Sequence, residues 1–460
     1  MATITSAGSG NWNAGGSWTG GSVPGAGDEA HIDSGHTITL TADASVGNVN
    51  IDGGTIAGGG YKITCVKTSG RLFDHSGTIT GNLDLELQGT HNTTEDLAGT
   101  GNIRNLILNG SGLNVDIGRA TTIAGGLTIT QGTLTTSSSH HALTVSGGNL
   151  SVSGTLLLNN STVAVSDTSS ALSISNTGTV TCADTNLTVN ALSMGQGAFT
   201  APSASGSFII TGEKDGLAFD YDGNGFVHNS GTIDIRTQDT TLVDFTPNDA
   251  AHIDINNVII NHADCVATLP SAGGIGGDLT ITAGRFDCAG YDLSVKSIAI
   301  SAGATFSASS GTTTITGELA SSGFALKNEG TFTHNNGTVK ITTGATTHIM
   351  ESNFYNLTIT ASSASYEITL RDSANNIITV FGDLTVESGR LCLNTTSDTM
   401  IIHGNTHVGA DGTCWYDADQ ATDKITHHGL VTNLGTYKIN DGTTVNLNGG
   451  IRQLGTLTID

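Results

Sequence analysis

Proline is nearly missing from this chain, with 4 in 460 residues. Together with the lack of a Gly-X-Y period, that excludes a collagen-like triple helix despite 63 glycines. Charge is scarce and one-sided: 12% charged residues, with 16 Lys+Arg against 40 Asp+Glu and a formal net charge of -24. Such a balance repels phosphate backbones and anionic lipid surfaces, so nucleic acid is not expected as a partner. Helix signals are few. Glu occurs 9 times against 31 Asp, and apolar residues recur at i, i+2 rather than at i, i+3, i+4, i+7. No apolar run approaches the ~20 residues of a membrane-crossing helix, so membrane insertion is not expected. The first residues, Met1 to Gly8, carry neither the basic n-region nor the apolar run of a Sec signal peptide. Six cysteines, Cys65, Cys182, Cys265, Cys288, Cys392 and Cys414, form no CxxC pair, which argues against zinc and against a disulfide-stapled small domain.

What is present is strand signal in repeated phrases. Leu-[Ser/Thr]-[Ile/Val/Met] occurs at Leu127, Leu143, Leu150, Leu172, Leu187, Leu192, Leu279, Leu293, Leu357, Leu384 and Leu457. It sets two apolar side chains on one face and a hydroxyl on the other, and Gly, Asn, Asp and Ser clusters after it supply corners. Three longer phrases recur in fixed order. Phe-x-His before Gly-Thr stands at Phe73, Phe226 and Phe332; an Asn before a strand at Asn105, Asn257 and Asn356; and Gly-(Asp)-Leu-Thr at Gly126, Gly277 and Gly382. Their order and near-equal offsets mark an internal repeat.

A strand-rich unit with one apolar face cannot close its own core, whereas stacked turns bury that face continuously. The pattern predicts an all-β fold, a right-handed parallel β-helix (solenoid). At ~22 residues per turn it would make about 20 turns and a rod about 100 Å long. Residues 1–45 are expected to form an N-terminal capping segment and first rungs, and 46–460 the β-helix repeats, in blocks of about 70–220, 221–325 and 326–425 and a partial block 426–460. At this turn length Cys265/Cys288 and Cys392/Cys414 could sit on adjacent rungs within disulfide reach; the alternative is that each fills core space. The chain stops inside the strand phrase Gly450–Asp460, so a continuation or another subunit is expected to cover that end.

Several residues are candidates for chemistry. Asp220, Asp222 and Asn224, with Gly225, match positions 1, 3, 5 and 6 of a calcium loop, although position 12 is Gly231 where a Glu belongs; the alternative is a tight turn between strands. Calcium is the one cofactor this suggests. Trp415, Tyr416, Asp417 and Asp419 form the candidate glycan-binding group, the alternative being a plug in one wide rung. Carboxylates for glycan cleavage are available at Asp234, Asp244 and Asp254, or at Asp411, Asp417, Asp419 and Asp423, but no catalytic residue is assigned. His75, His228 and His334 share one place in the repeat, which suits a corner side chain bonded to backbone, and no HExxH is present.

The opening order of Trp12, Trp18, Gly20, Pro24, Gly27, Asp28, Ile32, Gly35, Ile38 and Leu40, with the later Asn-Leu-Thr-Ile and Gly-Asp-Leu-Thr phrases, resembles β-solenoid (parallel β-helix) repeat proteins of bacteriophage virions and bacterial surfaces. The resemblance implies a virion-located structural protein, a fibre, spike or capsid/tail decoration, acting as a rigid display and attachment rod. It further implies a homotrimer, contacts with other virion proteins and a host surface glycan as ligand. The alternatives are a bacterial surface adhesin and a polysaccharide-degrading tailspike enzyme.

Overall fold

The computed structural model describes residues 2–97, 100–136, 139–175, 177–221, 225–246, 255–370, 377–393, 399–416, 424–439 and 443–459, with backbone alone at 100–102 and 415–416. It divides into two compact units, Met1–Thr232 and Ile233–Asp460. Each is a parallel β-solenoid, about 19 turns in all, as the strand phrases predict. Among the described residues about 1% is helix, and no helix there is long and apolar enough to cross a membrane.

In the first unit, the sequence phrase becomes a vertical column. Leu127, Leu150, Leu172 and Leu192 are register partners in turn, and the next partner is Phe219. Two positions along, Ile129, Val152, Ile174, Met194 and Tyr221 do the same. All ten are buried. Between them Thr128, Ser151 and Ser173 point outward and are half-buried, because alternate side chains of a strand face opposite ways. Each inward aliphatic side chain contributes about 1.5–3 kcal/mol relative to exposure. An aromatic cluster of Phe199, Phe208, Phe219, Tyr221 and Phe226 follows, with neighbouring ring centroids 5.5 to 6.4 Å apart. Near the N-terminus Trp12 and Trp18 bury each other edge to face at 5.2 Å, and Trp18 Nε1 donates to the Trp12 carbonyl at 2.7 Å.

The second unit is built on the same rule. Here five phenylalanines form a column, Phe245, Phe286, Phe306, Phe332 and Phe354, with successive centroids 6.5, 6.1, 5.8 and 5.6 Å apart. The turns are unequal. Val339 finds its register partner at Leu357, whereas Ile298 finds its own only at Leu326, after a turn more than half as long again. Strands keep register while the corners absorb the difference.

Turn length also decides the cysteine question. Val266 is opposite Arg285, so the place facing Cys265 falls at Gly284, and Cys288 lies well past it along the same strand and its exit. Cys392 is opposite Trp415, and Cys414 opposite Leu391, one position out of step. All six cysteines are buried, and the register does not stack the two proposed pairs.

Candidate functional site

The repeated phrases turn out to be corner chemistry. The Asn105 side-chain oxygen accepts the Gly126 N–H at 2.9 Å, Asn257 accepts that of Asp278 at 2.9 Å, and Asn356 that of Asp383 at 2.8 Å. The Asn-before-strand phrase and the Gly-Asp-Leu-Thr phrase are thus two halves of one link between adjacent turns. The glycine leaves room for the link: a Cβ on Gly277 or Gly382 would collide with the Asn257 or Asn356 side-chain oxygen, which would have to shift.

The Phe-x-His phrase is a second corner. His228 Nδ1 accepts the Ser230 N–H at 2.9 Å, and His334 Nδ1 that of Asn336 at 3.0 Å. Both are followed by two residues in the left-handed region, Asn229 and Ser230 in one and Asn335 and Asn336 in the other. Asn335 Nδ2 donates to the Ala308 carbonyl at 2.8 Å, and Asn229 Nδ2 to the Ala201 carbonyl at 3.3 Å, clamping the turn below. His75 differs: its ring is fully buried against Phe73, and burial pushes its pKa down.

Of the calcium candidates, Asp220 is on the strand Leu217–Tyr221, and its carboxylate accepts the Ser193 hydroxyl at 3.1 Å. Asp222 and Asn224 lie outside the described residues. Of the glycan candidates, Trp415 and Tyr416 close the strand Thr406–Tyr416, with Cα partners Lys438 and Ile439 on the next turn; Asp417 and Asp419 lie outside the described residues. So do Asp254 and Asp423. Asp234 is ion-paired to Arg236 at 2.5 Å, and Asp244 accepts the Thr246 N–H at 3.0 Å. Asp411 is exposed, opposite Ser388. Among the described residues, no group of three or more His, Cys, Asp or Glu is placed to hold a metal ion.

The surface feature that residue-by-residue reading misses is a column of rings on one corner of the second unit. His334 lies 5.4 Å from Phe381, Phe381 5.7 Å from His403, and His403 5.0 Å from His428, the last two contacts being parallel to within 5°. Tyr355 adjoins His334 at 5.8 Å. Phe381 is 46% exposed, and His403 and His428 are exposed as well. Beside the rings runs a glycine column, Gly382, Gly404, Gly429 and Gly449, in which a Cβ on each of the last three would strike the carbonyl of the glycine one turn earlier. Beside that runs an amide line: Asp383 accepts the Asn405 N–H at 2.7 Å, and Asn405 the Leu430 N–H at 3.1 Å. The only sequence signal for the column is a ring followed by Gly at Phe381, His403 and His428.

One ring next to this column is turned inward. His427 is fully buried, with Nδ1 2.7 Å from Thr406 Oγ1 and Nε2 2.8 Å from the Tyr437 hydroxyl. A neutral imidazole, donor on one nitrogen and acceptor on the other, satisfies both, and burial pushes its pKa down to about 4. In comparisons with protein-family models, with curated proteins and with solved structures, nothing matches this chain.

Proposed function

We propose that the protein is a non-enzymatic structural element of a bacteriophage virion, a fibre, spike or capsid/tail decoration, working as a stiff support for an attachment surface. The observation that carries this reading is the registered stacking: aliphatic and aromatic columns run turn upon turn, a construction suited to a stiff support. The likeness of the opening Trp segment and of the Gly-Asp-Leu-Thr phrases to virion and cell-surface β-solenoids supplies the setting. In this reading the chain is a homotrimer, attaches to other virion proteins, and meets a host surface glycan. The exposed ring column of Phe381, His403 and His428 is the contact surface, offering imidazole edges to sugar hydroxyls beside an exposed apolar ring.

Antibodies raised against the purified chain are expected to label intact phage particles in electron micrographs, and peptides of the chain to appear in purified virions. Labelling of bacterial surfaces in the absence of phage would replace this reading with the adhesin. Shortening of host polysaccharide by the purified protein would replace it with the depolymerase. Binding to host glycan is expected to fall at least tenfold in Phe381→Ala and His403→Ala, and unchanged binding would remove the ring column from the proposal.

A further inference from the structure

Between Arg119 and Glu213 the only Asp, Glu, Lys or Arg residues are Asp167 and Asp184, in a chain of net charge -24. Both lie outside the strands: Asp167 holds the Ser169 N–H and hydroxyl at an exposed turn, and Asp184 accepts the Ser203 hydroxyl. The flat sides of these turns therefore carry short neutral side chains. On one side, Thr133, Thr155 and Thr179 are stacked register partners. Two positions along the same strands stands the column Thr135, Leu157, Thr181, Thr200 and Val227. The residues between the two columns, Leu134, Leu156, Val180 and Phe199, point into the core, so both columns face outward. Leu157 is 37% exposed and Val227 53% exposed, two of the four large apolar side chains exposed among the described residues of the first unit.

We infer that this Thr/Leu157/Val227 side is the face through which copies of this chain associate. The inference rests on the homotrimer proposed above and names its contact surface. Two chains of charge -24 repel, and that repulsion is least where the meeting surfaces carry no charge. The apolar Leu157 and Val227, set among Thr methyl groups in one column, supply desolvation energy there, and parallel strands in register keep the face flat. Five rungs of two to four strand residues cover on the order of 250 Å², short of the roughly 800 Å² a side of a stable pairwise interface. In a closed ring of three this face turns toward the axis and meets both neighbours, so three short contacts hold one another closed.

The test is sedimentation velocity and light scattering on the full chain over a range of concentrations. The unmodified chain is expected to be a trimer that strengthens with added salt. Leu157→Lys/Thr181→Lys is expected to weaken association at least tenfold with unchanged circular dichroism, whereas Thr128→Lys, on another side of the same turns, is expected to leave it intact. A chain that is monomeric throughout overturns the trimer reading and this inference with it. A trimer that survives Leu157→Lys/Thr181→Lys overturns the assignment of the face alone. Thr181→Cys supplies a readout that does not depend on a destabilising charge: mild oxidation is expected to join copies through residue 181, and failure to cross-link within an intact trimer also removes the face.

Discussion

Asn356 accepts, through its side-chain oxygen, the backbone N–H of Asp383 one turn along the solenoid at 2.8 Å. The same link joins Asn257 to Asp278 and Asn105 to Gly126. It satisfies a main-chain donor directly before Leu127, Leu279 or Leu384, the residue that pairs with the preceding turn.

Removing that acceptor is expected to cost about 1–3 kcal/mol. Asn356→Ala and Asn257→Ala should each lower the denaturant midpoint of the second unit, while Asn356→Asp, which keeps the acceptor, should lose less. Equal loss in the Ala and Asp variants would mean the amide acts through its N–H₂ instead.

The glycine opposite the amide gives a paired test. Gly382→Ala drives a methyl into the Asn356 oxygen and is expected to destabilise by about 1–3 kcal/mol. Gly344→Ala, whose nearest neighbour is the Ser362 hydroxyl at 3.9 Å, is expected to be neutral or to stabilise by up to about 1 kcal/mol. Thermal melts of the two variants side by side give the comparison.

These corners also show what the sequence reveals and what it hides. The phrases of Asn257 and Gly277 are visible as a repeat, and their strand character follows from alternation. That the first phrase hydrogen-bonds the second is not visible, because the link depends on turn length, which varies from corner to corner. For the same reason Cys265 and Cys288 look like rung neighbours in the sequence: the mean turn length hides a local turn that closes early, with Val266 already opposite Arg285. The ring column is obscured differently. Phe381, His403 and His428 are unequally spaced along the chain, and a mixture of Phe and His conceals one structural position. Asp222, Asn224, Asp417 and Asp419 lie outside the described residues.

Acid should destabilise the second unit through His427. Its pKa in the folded chain, about 4, is below the ordinary 6.5, so the unfolded chain takes up the proton first. Stability is then fully present above about pH 6.5, is lost as pH falls toward about 4, and levels off below, a total on the order of 3 kcal/mol. The difference between the unmodified chain and His427→Gln, followed by urea unfolding from pH 7.5 to 4, should show that slope. A constant difference across the range would remove His427 as its source.

Thiol chemistry should be silent in the native protein. Burial pushes the Cys182 thiol up to about 12 and raises those of Cys65, Cys265 and Cys288 as well, so the reactive thiolate is suppressed and access is closed. Maleimide labelling followed by peptide mapping is expected to find these four unmodified before denaturation and modified after it. Rapid native labelling of any of them would indicate local opening of that turn.

The unequal turns, short from Val339 to Leu357 and long from Ile298 to Leu326, have an evolutionary and engineering consequence. When a loop already closed at both ends by paired strands doubles in length, the added entropic cost is only about 0.6 kcal/mol. Corners can therefore gain or shed sequence one at a time while the interior stays unaltered, so rapidly diversifying epitopes and an invariant scaffold can coexist in one gene.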